Sequence, residues 1–157
     1  MDINVILDGS REMRPFMDEA AAWLCDYLVE GVLIEGDRLS VRVAGEKVQT
    51  LYSGFPGGRD WKEPLKTIFR SFIPAGGRAD FAGALEEAAR SPGGRGSIAA
   101  YTILVCGPGG LASLETEGAA YLRYSRNRDF SGWRLVTVAL DAGPAVREAL
   151  QSYLSGG

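Results

Sequence analysis

Four of the five residues from Ile3 to Leu7 are apolar, and the run stops at Asp8-Gly9-Ser10, just ahead of a long helical pattern. An apolar run of this length that ends in a small polar turn and feeds a helix reads as a strand buried on both faces, at the centre of a parallel sheet. Its last residues fall at the carboxyl end of that sheet, where open α/β folds hold their ligands. Asp8 and Ser10 are therefore the first candidates for function.

After this strand Met13, Phe16, Met17, Ala20, Leu24, Tyr27 and Leu28 recur at steps of mostly three and four residues, predicting one helix of about four turns with Pro15 in its first turn and Gly31 at its end. Leu39 to Val43 alternates apolar and polar, and Val48 to Tyr52 follows a turn at Gly45-Glu46-Lys47, which predicts an antiparallel hairpin at one edge of the sheet. Asp60 with Glu63 three residues on predicts a capped helix, with Trp61, Leu65, Ile68, Phe69 and Phe72 as its apolar face and a break at Pro74 to Gly77. A third helix is expected from Asp80, burying Phe81, Leu85, Ala88 and Ala89 and stopping near Ser91-Pro92-Gly93-Gly94. Tyr101 to Cys106 predicts a second buried parallel strand, Gly107 to Gly110 a glycine-rich turn, 112–125 a helix, Trp133 to Leu140 the last strand and 144–154 a final helix. Strands alternating with helices, plus one hairpin, predict an α/β, doubly wound, Rossmann-like and mostly parallel sheet with one antiparallel edge strand and helices on both faces.

The length of 157 residues and 46% apolar content suit a single domain spanning 1–157. No run is long and apolar enough to span a membrane, and Cys25 and Cys106 both fall in predicted core elements, which together lead us to expect a cytoplasmic protein without membrane association. The net charge of −3, with nine acids against three bases in residues 1–40, speaks against nucleic acid as a partner. With no histidine, neither a Ser-His-Asp nor a Cys-His nucleophile is available, and any metal must be held by oxygens or thiolates.

The strand ending in Asp8-Gly9-Ser10, the long first helix, the hairpin, Gly76-Gly77 ahead of Gly83-Ala84-Leu85, and the strand ending near Cys106-Gly107 together resemble a von Willebrand factor type A domain. In that family an Asp-x-Ser-x-Ser motif, a threonine that opens a later helix and an aspartate after the fourth strand form the metal-ion-dependent adhesion site. Its cation accepts a carboxylate from a partner protein. Here Asp8 and Ser10 match the first two motif positions, Glu12 stands at the third, Ala79 at the threonine, and Cys106 or Gly107 at the aspartate. The resemblance thus implies a degenerate site, with Arg78 or plain hydration in the vacated space; magnesium held by Asp8, Ser10 and Glu12 is the alternative.

The resemblance implies a protein-interaction module, an adaptor or scaffold of bacterial type rather than an enzyme, with another protein as its partner and no resident cofactor. The expected binding rim is Asp8, Gly9, Ser10, Glu12, Arg78, Asp80, Gly107 and Gly109. Two alternatives differ in class: a magnesium-dependent phosphohydrolase using Asp8, which lacks the second aspartate of an Asp-x-Asp pair, and a structural subunit assembling through the edge Val48 to Tyr52. A phosphate cradle at Gly107 to Gly110, a nucleic-acid surface at Arg123, Arg126, Arg128 and Arg134, and a nucleophilic Cys106 have blander readings as an ordinary turn, a solvated face and a core thiol.

Overall fold

The structure, a computed structural model, describes residues 1–90, 100–107 and 133–139. Five strands form one sheet in the order β3-β2-β1-β4-β5: β1 (Asp2–Asp8), β2 (Arg38–Ala44), β3 (Val48–Gly54), β4 (Ala100–Cys106) and β5 (Trp133–Ala139). β1 runs parallel to β2 and β4, β4 parallel to β5, and only the edge strand β3 is antiparallel. The central, fully buried strand predicted from Ile3 to Leu7 is β1, and the doubly wound architecture is the one expected. The helices predicted at 112–125 and 144–154, the arginine cluster from Arg123 to Arg128, and Gly109 lie outside the described residues.

The two faces of the sheet differ in chemistry. Ile3, Val5 and Leu7 stand in register with Leu39, Val41 and Val43 on β2 and with Tyr101, Ile103 and Val105 on β4. This face packs against the first helix and α2 (Lys62–Ser71) in one apolar cluster that includes Met13, Leu24, Leu28, Leu65 and Phe69. The opposite face carries Asp2, Asn4, Ser40, Arg42 and Thr102, all buried, beside Ile6 and Leu104. It is covered in part by α3 (Phe81–Arg90), whose Phe81, Ala84 and Ala88 are buried. There Arg42 Nη1 donates to Asn4 Oδ1 at 3.3 Å, while its Nε lies 3.5 Å from Glu87 Oε2 on α3. Burial pushes the Asp2 carboxyl up from its ordinary value, and Arg38, the terminal ammonium and Arg42 pull it back.

The first helix departs from a single α-helix. It is a 3-10 turn over Arg11–Phe16, α1 over Met17–Trp23 and a π-helix over Leu24–Val32, closed by Leu33 N–H donating to Leu28 O at 2.8 Å. Beyond Met13 and Met17, the residues it buries are Ala20, Leu24 and Leu28 in one row and Ala21, Cys25, Val29 and Leu33 in the next, each step four residues. A four-residue step lies between the 3.6-residue turn of an α-helix and the wider turn of a π-helix, so a helix that changes from one to the other keeps both rows on one side. Tyr27, expected inside, is 55% exposed as a result and stacks on Trp23 at 4.8 Å between ring centroids. The second helix also starts differently: Asp60 has a left-handed backbone (φ 55°), and Glu63 N–H bonds to its carbonyl rather than to a capping side chain.

On β3, Tyr52 faces Val41 and Thr50 faces Arg42, so Leu51 is an extra residue at a bulge. A bulge on an edge strand adds twist and hinders pairing with another chain, which weighs against assembly through Val48 to Tyr52. No helix among the described residues is long and apolar enough to cross a membrane.

Thr102 is fully buried in the centre of the sheet, and its Oγ1 has no hydrogen-bond partner among the described residues. Replacing a buried, unsatisfied hydroxyl by a methyl of the same shape removes a desolvation cost of about 1 kcal/mol. Thr102→Val is therefore expected to raise the thermal midpoint by about 3 °C. A fall in circular-dichroism melts would mean the hydroxyl has a partner.

Candidate functional site

β1 ends at Asp8, whose side chain is fully buried. Asp8 Oδ1 accepts the backbone N–H of Ser10 at 2.9 Å and the Ser10 hydroxyl at 2.6 Å, while Oδ2 accepts the backbone N–H of Gly107 at 3.1 Å. The first pair is a short polar turn closing on itself; the third bond spans from β1 to the residue just past β4. Chain connection reverses direction between these two strands, since β1 leads outward to β2 and β3 while β4 and β5 lie on its other side. The crevice that such a reversal opens at the carboxyl ends of the strands is the usual ligand position of an open α/β sheet. Here the chain's own Gly107 N–H and Asp8 carboxylate meet across it.

The loop after β1 is pinned by backbone on two sides. Gly9 N–H donates to Ala44 O at 2.9 Å, so close that a Cβ on Gly9 would stand 2.6 Å from Val43 Cγ1 and 2.8 Å from Ala44 O. Only glycine fits there. Beyond it, Ser10 and Gly76 form a parallel bridge, with Arg11 N–H to Gly76 O at 2.7 Å and Gly76 N–H to Gly9 O at 2.9 Å. The loop before α3 is tied to the hairpin turn by Asp80 N–H to Gly45 O at 3.0 Å, and Asp80 Oδ1 caps α3 by accepting Gly83 N–H at 2.9 Å.

Asp8, Gly9, Ser10 and Gly107 thus meet directly. Asp80 belongs to the neighbouring loop, with its carboxylate committed in part to the cap. Glu12 and Arg78 are exposed at the rim, whereas Ala79, at the position of the family threonine, is buried and presents a methyl. Ala44, Gly45 and Gly76 complete the scaffold; the sequence marks Gly45 and Gly76 as turn residues but not as parts of the site. Their signal was the hairpin itself, because a β2 parallel to β1 must end beside it and bring its turn to the same rim.

Cys106 closes β4 and is fully buried. Burial, and secondarily the negative charge of Asp8, push its thiol up to about 12. It stays protonated at neutral pH, which suits a core side chain and neither a nucleophile nor a thiolate ligand.

Neither a family model nor a curated protein matches this chain. Solved structures do. The von Willebrand factor type A protein from Catenulispora acidiphila superposes with a TM-score of 0.67 at 16% identity, covering 98% of this chain and 36% of that one. The manganese-loaded TRAP protein of Plasmodium vivax gives a TM-score of 0.67 at 16% identity over 99% of this chain and 62% of its own. Proximal thread matrix protein 1 of the mussel byssus, with a zinc-occupied adhesion motif, gives 0.61 at 18% identity over 90% of this chain and 36% of its own. This chain spans about a third of the bacterial and mussel proteins' length. With its central β1, parallel neighbours, antiparallel β3 and helices on both faces, the chain has the von Willebrand factor type A fold.

Proposed function

We propose that the chain is a protein-interaction module of von Willebrand A type that presents the rim around Asp8 to another protein without a divalent cation. The observation that carries this reading is the state of the Asp8 carboxylate: both oxygens accept hydrogen bonds from the chain itself. A magnesium ion demands near-octahedral oxygen ligation at short distance and gives up its water reluctantly. At Asp8 it competes with three N–H and O–H donors already on the carboxylate, with the methyl of Ala79 where a hydroxyl ligand is expected and a protonated thiol at Cys106. Among the described residues no three acidic or thiol side chains are grouped to hold a metal.

Glu12 and Arg78 are the exposed charged residues that a partner meets on this rim. We assign no catalytic residue; a phosphohydrolase using Asp8 finds little support, since its side chain is 0% exposed. Both cysteines are buried and form no disulfide, which fits a reducing compartment.

Anything that binds only the folded state raises its stability by mass action. The thermal midpoint is therefore expected to be the same in EDTA and in millimolar magnesium, manganese or calcium. A rise of several degrees that vanishes in Asp8→Ala would establish a working cation site at Asp8, Ser10 and Glu12 and overturn the metal-free reading. Asp8→Asn, which turns an acceptor-only group into one with donors aimed at N–H groups, is expected to lower stability by about 2–4 kcal/mol in urea titrations. A photo-crosslinking benzoylphenylalanine at position 12 or 78 is expected to capture one and the same protein in EDTA, and none from position 67 on α2. Capture that requires magnesium, or that is equal at position 67, would sink the proposal. Iodoacetamide is expected to leave Cys106 unmodified in the folded chain at pH 8 and to label it fully in urea, read by mass spectrometry.

A further inference from the structure

A groove of about 480 Å³ lies away from the rim, along the outer side of the first helix. One wall is the helix from Arg14 to Asp26; the other is the end of α2 and the segment after it, Arg70 and Phe72 to Pro74. At 1.5 Å per residue the helical wall is roughly 18 Å long. That matches about three turns of a second helix.

The chemistry changes along the groove. Its middle is apolar, made by Met17, Ala21, Ala22, Phe72 and Ile73, and Ile73 stands 70% exposed at the lip. Two small side chains in succession let another helix backbone approach to the 8–10 Å typical of packed helices. At the upper end Arg14, held by its Nε donating to Pro74 O at 2.7 Å, stands one turn before Asp18. At the lower end Asp26 and Arg70 line the groove together, where the α-helix has given way to the π-helix. Each end therefore offers one guanidinium and one carboxylate. A uniformly acidic or basic segment meets a like charge at both ends, while a segment carrying both signs at each end finds a match at both.

We propose that this groove is a second docking surface, occupied by an amphipathic helix of a partner protein whose short apolar stripe is flanked at each end by an acidic and a basic residue. The inference does not depend on the rim, and rim variants leave it untouched.

The probe is a fluorescein-labelled, helix-stabilised peptide of fourteen residues with leucines on one face and a glutamate–lysine pair at each end. Titration into the full chain is expected to saturate with a midpoint below about 100 µM and to shift backbone amide resonances at 14–26 and 70–74. Ala22→Glu and Ile73→Asp, both at exposed positions, are each expected to weaken binding at least tenfold while circular dichroism and melting stay as in the parent. A peptide with the same leucines and only glutamates at its ends is expected to bind at least fivefold more weakly. Absence of saturable binding, equal affinity in both variants, equal affinity of the all-acidic peptide, or amide shifts confined to other elements would each overturn the proposal.

Discussion

A single buried carboxylate sets the terms for this molecule. Taking an ionised group out of water costs several kcal/mol unless its oxygens are met by donors. Asp8 meets that requirement with two donors from its own turn and one from the end of β4. Because the third donor is ninety-nine residues away in sequence, the bond cannot form until the sheet has closed between β1 and β4, and it then holds the switch point shut. Everything around it is arranged to let backbone come close: Gly9 against Ala44, Gly76 against Gly9, and Ser10 paired with Gly76 as a one-residue extension of the sheet. The rim is rigid for the same reason that it is small-residue-rich.

Much of this was legible in the sequence because it follows from runs of residues that answer to one element at a time. The apolar run into Asp8-Gly9-Ser10 specified a central strand and its polar tip, and the alternation from Leu39 to Val43 specified the hairpin. The fate of Asp8 was not legible, since its partner on Gly107 is a backbone group that no side-chain pattern advertises. Asp60 misled for a related reason. Its spacing to Glu63 matches a capping box, yet the left-handed backbone at Asp60 leaves its carbonyl, not its carboxylate, to receive the Glu63 N–H. Composition and spacing report which groups are available; they do not report which backbone groups arrive first.

The sheet also divides its labour between its faces. One face is a continuous apolar surface under the first helix and α2, and the other mixes Asp2, Asn4, Ser40, Arg42 and Thr102 into its buried area. Hydrophobic burial is non-directional, whereas Arg42, bonded to Asn4 on β1 and ion-paired with Glu87 on α3, links the sheet to that helix at one place. Apolar packing holds the first layer, while in the second Phe81, Ala84 and Ala88 pack beside polar contacts that add direction. Asp80 adds to that alignment by capping α3 and bonding to the hairpin turn at Gly45.

The wide turns at the end of the first helix carry a geometric consequence. In an α-helix four residues overshoot a full turn by about 40°, so a row repeating every four residues drifts steadily around the cylinder. In a π-helix, whose bonds reach five residues back, four residues fall short of a turn and the row drifts the other way. Ala20, Leu24 and Leu28 begin in the first kind of turn and finish in the second, as do Ala21, Cys25 and Val29. The opposite drifts offset each other, and the rows stay buried as far as Leu28 and Leu33. Where a coiled coil winds its axis to keep such a row in place, this helix changes its pitch.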